Sequence, residues 1–324
     1  MITRSAFKPA WWLPGAHAQT IWPGLLHFSP APGLAWERLE LPDDDFIDLV
    51  WTGNQAGPIV IVLHGLEGSV HSHYAMGILS AIHACGWRGV FMHFRGCSGE
   101  HNRQARGYHS GETGDLRFLL RTLRNREPWE KISAIGFSLG GNVLLKYLGE
   151  YGNAAMLDAT AAVSVPFDLS IGADRLERGF SRFYQHYLIT RLQTRMQDKF
   201  RHRKAPFPVE NLRQWNTFRL FDHHVTARLH GFKDGDTYYA ECSSRPFLKH
   251  ITVPTLIVHA RDDPFMTQAA IPDASELSGS VTLELSESGG HVGFIGGDYP
   301  WQAEYWLYRR LPQFLQGYLD TGEN

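Results

Sequence analysis

The chain has 324 residues, 43% hydrophobic and 13% aromatic, with a formal net charge of −2 and an isoelectric point near 6.8. That is ample material for a core, and the near-neutral balance without a basic stripe excludes a nucleic-acid-binding protein. Three widely spaced cysteines (Cys85, Cys97 and Cys242) make neither a disulfide framework nor a zinc signature; they suit a reducing compartment, and a cytoplasmic protein is expected.

The first stretch, "MITRSAFKPAWWLPGAHAQTIWPGLL", has no apolar run of the ~20 residues a membrane span requires, and no signal-peptide core before small residues. Trp11, Trp12 and Trp22 are expected to pack on the fold, with contact to a membrane surface as the alternative. Residues 36–51 alternate apolar and polar positions around Asp43-Asp44-Asp45, which predicts a hairpin with a solvated acidic turn. "PIVIVLHG" (58–65) is apolar on both faces, as in a central strand of a parallel sheet. A helix is expected from His71 to Gly86, a strand from 88 into a glycine-rich loop, and a helix over 114–128 stopped by proline. "KISAIGFS" reads as a strand, "GGNVLLKYLGEYG" as a helix and 159–166 as a strand.

This alternation implies an α/β fold: a mostly parallel sheet flanked by helices, joined by right-handed crossovers. The rhythm breaks at 167–247, mostly helical and rich in Arg, His and aromatics, then resumes with strands at 253–260 and 281–287 and a last helix. One domain over 1–324 carrying an inserted helical lid at 167–247 is the expected organisation, since an insertion beyond the carboxyl ends of the strands would cover the crevice where such sheets bind ligands.

The chemistry centres on Gly136-Phe137-Ser138-Leu139-Gly140. A G-x-S-x-G between a strand and a helix is a nucleophile elbow: the turn excludes large neighbours and presents the hydroxyl at a helix amino end, where free N–H groups favour negative charge. A serine hydroxyl needs a base to take its proton, and in this architecture an acid and then a histidine follow in chain order. Asp263 follows the strand 253–260 and precedes Pro264, so it is the expected acid; its neighbour Asp262 reads as a solvated turn residue. Of 17 histidines, His291 alone follows both a late strand and a Gly-Gly loop, whose flexibility would let the imidazole reach the serine. His291 is expected to deprotonate Ser138, with Asp263 fixing the imidazole tautomer. The backbone N–H groups of Leu139 and of Leu66, in "LHGLEGS", are the candidate oxyanion donors. Phe180, Phe183, Tyr184, Tyr187 and Leu188 of the insertion are candidate acyl-pocket residues, with helix packing as their other reading.

His71 with His73, and His223 with His224, lack acidic or cysteine partners at ligand spacing, so no metal is expected. Cys97 has no neighbour that marks it as a nucleophile, and no nucleotide-binding loop is present. No cofactor is expected.

The strings "HAQTIW", "LHGLEGS", "FRGCSG", "NRQARGYHSGETGD", "GFSLGGN", "FDHHVTARLHGF", "HARDDPFM" and "ESGGHVGF" span residues from about 11 to 296. Together they resemble the YheT-like esterases of the α/β-hydrolase superfamily, a family similar to animal phospholipases of the α/β-hydrolase-domain type and to yeast medium-chain ethyl ester esterases and synthases. "HAQT" departs from the more usual "HLQT". The resemblance implies a charge-relay triad of Ser138, Asp263 and His291 and carboxylesterase activity. The function expected is therefore cofactor-free hydrolysis of short- to medium-chain carboxylic esters, small-molecule or lipid-like. An acyltransferase sharing the acyl-enzyme, or a non-catalytic binding scaffold, are the alternatives; epoxide hydrolases of this fold would carry aspartate at the elbow.

Overall fold

The apolar run at 59–63 lies at the middle of the molecule, with every residue buried. The computed structural model describes residues 1–26, 33–53 and 56–320. In chain order they form β1 (Ile2–Arg4), α1 (Ala16–Leu26), β2 (Ala35–Glu40), β3 (Phe46–Thr52), β4 (Ile59–Leu63), α2 (Ala75–Ala84), β5 (Arg88–Met92) and α3 (Gly114–Arg126). Next come β6 (Ile132–Phe137), α4 (Leu139–Tyr151), β7 (Ala159–Val163), α5 (Leu169–Leu176) and α6 (Ser181–Lys199). The short helices α7 (Phe218–Phe221), α8 (Ala227–His230) and α9 (Gly235–Cys242) precede β8 (Thr255–Ala260), β9 (Val281–Ser286), β10 (Ile295–Gly296), β11 (Glu304–Tyr305) and α10 (Leu307–Leu319).

Nine strands make one sheet in the order β1-β9-β8-β7-β6-β4-β5-β3-β2. β3 runs antiparallel to both its neighbours, β2 and β5, and the remaining pairings are parallel. Successive residues of a strand face opposite sides of its sheet. Ile59, Ile61 and Leu63 accordingly join a core with Leu116, Leu120, Val143 and Leu144 of α3 and α4, while Val60 and Val62 meet Ile78 and Ile82 of α2 and Leu311 and Leu315 of α10 on the other side. Burial on both faces is why these strands carry no polar alternation.

Two expectations need correction, and one strand is new. The first helix after β4 starts at Ala75, not His71; the turn before it lets the buried Tyr74 hydroxyl accept the Gly65 N–H at 2.8 Å. The acidic turn is not wholly solvated, because Asp45 is buried, accepting from the Asn102 amide at 2.6 Å and the Arg103 N–H at 2.8 Å and facing the Arg95 guanidinium at 2.9 Å. β1, which the sequence reading did not anticipate, adds a parallel edge strand beside β9, pairing Ile2 with Leu283; three residues are too few to show a period.

Residues 167–247 leave the sheet after β7 and return before β8, its neighbour. They hold a buried cluster of their own, including Leu176, Tyr184, Leu192, Met196, Phe221 and Tyr239. Trp12 packs edge-on against Trp22 at 4.9 Å, whereas Trp11 is exposed, its indole N–H donating to the Asp298 carbonyl at 3.0 Å. Among the described residues no helix is long and apolar enough to cross a membrane.

Candidate active site

Ser138 joins β6 to α4 with φ 51° and ψ −117°, a backbone state that costs a non-glycine residue roughly 1–3 kcal/mol. The bend exists because the residues two places to either side, Gly136 and Gly140, lack side chains. A Cβ on Gly136 would fall 2.6 Å from the Gly140 carbonyl oxygen, and one on Gly140 would fall 2.5 Å from the Leu63 carbonyl oxygen. The strained residue is fastened on both sides: its N–H donates to the Val163 carbonyl at 2.8 Å, and its own carbonyl accepts from Asn142 at 3.0 Å.

The loop after β9 brings His291 to this serine. His291 Nε2 lies 2.9 Å from Ser138 Oγ, and Nδ1 lies 2.8 Å from Asp263 Oδ2. Asp263 is 3% exposed and His291 8%, so the relay is largely shielded from water. The other Asp263 oxygen accepts the Phe265 N–H at 2.8 Å, which fixes the carboxylate plane. With Asp263 ionised, the proton sits on Nδ1, leaving Nε2 to accept from the serine hydroxyl. Such an arrangement can draw a proton from Oγ as it attacks an electrophile.

Three consecutive amides hold the histidine loop. Gly290 N–H donates to Asp262 Oδ1 at 3.0 Å, His291 N–H to Thr20 Oγ1 at 2.9 Å, and Val292 N–H to Ser164 Oγ at 3.0 Å. Asp262 is thus half-buried and tethers the loop, rather than being a solvated turn residue; burial raises its pKa. The role expected for the glycine pair changes too. A Cβ on Gly290 would fall 2.5 Å from the Ala16 carbonyl oxygen, so this glycine serves the close approach of α1, not slack in the loop. Thr20 and the buried Gln19, which accepts the Ile295 N–H at 2.7 Å, belong to the "HAQT" string. The string thus holds the histidine loop in place.

Two more residues flank the relay. Phe265 stacks on the His291 ring at 3.9 Å. His259, at 1% exposure, has neither ring nitrogen hydrogen-bonded among the described residues, and burial lowers its pKa to about 4.

The loop after β4 runs beside the serine: a Cβ on Gly65 would fall 3.3 Å from Ser138 Cβ. Among the described residues, neither the Leu66 nor the Leu139 N–H donates to a protein acceptor. His64 is not a candidate for chemistry. Burial lowers its pKa to about 3, and its nitrogens are occupied by the Gly65 carbonyl at 2.7 Å and the Phe94 N–H at 3.0 Å.

Ser138, Leu139 and Leu66 open on a cavity that is partly open to solvent. Its walls include Leu176, Leu188, Leu192, Met196, Phe221 and Val225 from the insertion, with Phe265 and Met266 from the sheet side. Of the five residues expected to line an acyl pocket, Leu188 does so. Phe183 and Tyr187 of α6, and Phe180 just before it, are more than half exposed and are not among the lining residues; nor is Tyr184, which is buried, its ring 4.9 Å from that of Phe265 and its hydroxyl 3.1 Å from the His17 ring. The inward face of α6 is instead the stripe 188, 192, 196, four residues apart, a spacing that could have been read from the sequence.

Sequence and structure comparisons agree with this architecture. The alpha/beta hydrolase fold family matches residues 58–298. The chain is 44% identical to the Escherichia coli protein named "Putative esterase YheT" over 97% of its own length and 94% of that protein's. It is 28% identical to the human protein named Phospholipase ABHD3, over 99% of this chain and 81% of the relative. Among solved structures, the Pyrococcus furiosus esterase Pf2001 superposes with a TM-score of 0.60 at 16% identity, covering 91% of this chain and 98% of that one, a likeness of fold. The chain belongs to the α/β-hydrolase fold family and, within it, to the YheT-like group. It is a hydrolase of the esterase type.

Proposed function

We propose that the protein cleaves short- to medium-chain carboxylic esters through an acyl-enzyme on Ser138. The observation that carries this reading is the hydrogen-bonded chain Ser138–His291–Asp263, at 2.9 and 2.8 Å, opening on a mainly apolar cavity. His291 takes the Ser138 proton as Oγ attacks the ester carbonyl, then gives it to the departing alkoxide; water activated by the same imidazole releases the acid. Asp263 holds the imidazole and stabilises its cationic form. The Leu66 and Leu139 amides receive the oxyanion; one such donor contributes a factor of roughly 10²–10³. Residues 167–247 act as a lid within a single domain, their apolar inner face receiving the acyl chain. Three free thiols fit a cytoplasmic setting.

The test is the variant Ser138→Ala assayed with p-nitrophenyl acyl esters of graded chain length, alongside fluorophosphonate labelling of the wild type. Loss of turnover in a folded variant, with labelling confined to Ser138, is expected; turnover retained by the variant removes the reading.

Transfer of the acyl group to an alcohol instead of water is the second reading. It is favoured by 29% identity, over 80% of this chain and 62% of the relative, to a yeast protein named Medium-chain fatty acid ethyl ester synthase/esterase 2. Product analysis with added ethanol separates the two: ethyl ester formation competitive with acid release supports transfer.

A further inference from the structure

Glu67 follows the proposed oxyanion residue Leu66 and is held in the left-handed region, with φ 55°. A glutamate gains nothing by itself from that backbone state, which costs roughly 1–3 kcal/mol and persists only where its surroundings impose it. Here they do, and they come from two sides. The Glu67 N–H donates to the Tyr108 hydroxyl at 2.8 Å, and that hydroxyl donates to Glu67 Oε1 at 2.9 Å. The other contacts come from α6: Arg195 Nη2 lies 2.8 Å from Oε1, and Arg191 Nη2 donates to the Glu67 carbonyl at 2.9 Å.

The two arginines are four residues apart, one helical turn, so a single helix face grips both the side chain and the main chain of one residue. Arg195 is itself seated, its guanidinium 4.8 Å over the Tyr108 ring and donating to Cys97 Sγ at 3.1 Å. The Glu67 and Arg195 side chains are 7% and 14% exposed, so the pair is only weakly screened by water. Leu66 packs against both the sheet core and the insertion's own cluster. The backbone that carries one proposed oxyanion donor is therefore pinned by the inserted segment, not by the sheet alone.

We infer that Arg195 and Arg191 are positioning residues that aim the Leu66 amide at the oxyanion by clamping Glu67 to α6, so that the donor is in place only while the insertion is docked. This rests on the Ser138 acyl-enzyme reading above. The oxyanion exists only in the transition state, so a mis-aimed donor lowers kcat and leaves the binding of a small ester nearly unchanged.

The test compares Arg195→Ala, Arg195→Lys, Glu67→Gln and the double variant Arg195→Ala/Glu67→Gln. The substrate is p-nitrophenyl acetate, rates are expressed per site labelled to completion by a fluorophosphonate, and Tm is recorded in parallel. The expected result is a loss of about 10- to 100-fold in kcat per labelled site for Arg195→Ala and Glu67→Gln, with KM within about threefold. The double variant should be no slower than the slower single one, because both break one clamp, and Arg195→Lys should regain a large part of the rate. If the variants lower only Tm or the labelled fraction, with kcat per labelled site unchanged, the clamp is a structural cross-link and the inference fails. If the wild type is not labelled at Ser138, the reading beneath it fails and the clamp falls with it, an outcome distinct from the first.

Discussion

The ring of Phe265 lies 3.9 Å from that of His291, with the two planes 16° apart, while its N–H donates to Asp263. One residue thus touches two members of the relay, the carboxylate through its backbone and the imidazole through its side chain. The stacked ring limits rotation of His291 about its side-chain bonds and keeps Nε2 on Ser138. Stacked aromatic pairs are worth about 0.5–1.5 kcal/mol. Phe265→Ala leaves the backbone bond and removes the stack, so kcat should fall about 3- to 10-fold. Steady-state kinetics with a short ester checks this, and an unchanged kcat would show that the carboxylate alone orients the imidazole.

Thr20 gives a second handle on the same loop. Its hydroxyl accepts the His291 N–H at 2.9 Å and donates to the Ala16 carbonyl at 2.7 Å. Thr20→Val keeps the shape and leaves a shielded N–H without an acceptor, a loss of about 1–3 kcal/mol. For a chain of this size that corresponds to a fall in Tm of a few degrees, and activity should fall with it. Thr20→Ser should retain both. Thermal unfolding of the pair of variants decides; equal Tm values would remove Thr20 as the support of the histidine loop.

These contacts show where the sequence was legible. Ser138 could be picked out because its glycines form a local pattern: Gly136 and Gly140 are each two residues from it, and what Gly136 avoids lies in the same bend, although what Gly140 avoids, the Leu63 carbonyl, belongs to β4. Asp263 and His291 could be picked out by chain order after late strands. Thr20 and Ser164 could not, since their partners are 271 and 128 residues away and nothing in their local pattern announces a hydrogen bond across the molecule. The aromatic residues at 180–187 signal a helix but not which of its faces turns inward: Phe180, Phe183 and Tyr187 are exposed, while Leu188, Leu192 and Met196 line the cavity. Asp45 read as solvent-facing because its partners, Arg95 and Asn102, lie on a later loop.

The neighbouring aspartates should separate sharply. Asp263 accepts from His291 and Asp262 accepts from the Gly290 N–H. Asp263→Asn should reverse the tautomer of the imidazole and lower kcat by about 10³- to 10⁴-fold, by analogy with other relays of this kind. Asp262→Asn retains an acceptor for Gly290 and should cost less than about tenfold. Comparing kcat/KM for the two variants tests the assignment; a larger loss at position 262 would overturn it.

Acid stability should be governed by buried histidines. Burial lowers the pKa of His64 to about 3 and those of His93, His109 and His259 to about 4. Each therefore resists a proton in the folded state that it accepts near pH 6.5 once unfolded. The unfolded state binds more protons between those values, so the stability these groups allow is fully present above about pH 6.5 and is lost as pH falls toward 4, by up to about 1.4 kcal/mol per pH unit for each histidine. His259 is the informative position because its ring makes no hydrogen bond that a substitution would break. His259→Leu, similar in volume, should remove one proton from the uptake on unfolding. Its Tm relative to wild type should thus be higher at pH 5.5 than at pH 8. Calorimetric or fluorescence melts at the two values measure this directly, and an identical difference at both would mean that His259 does not contribute to the acid limb.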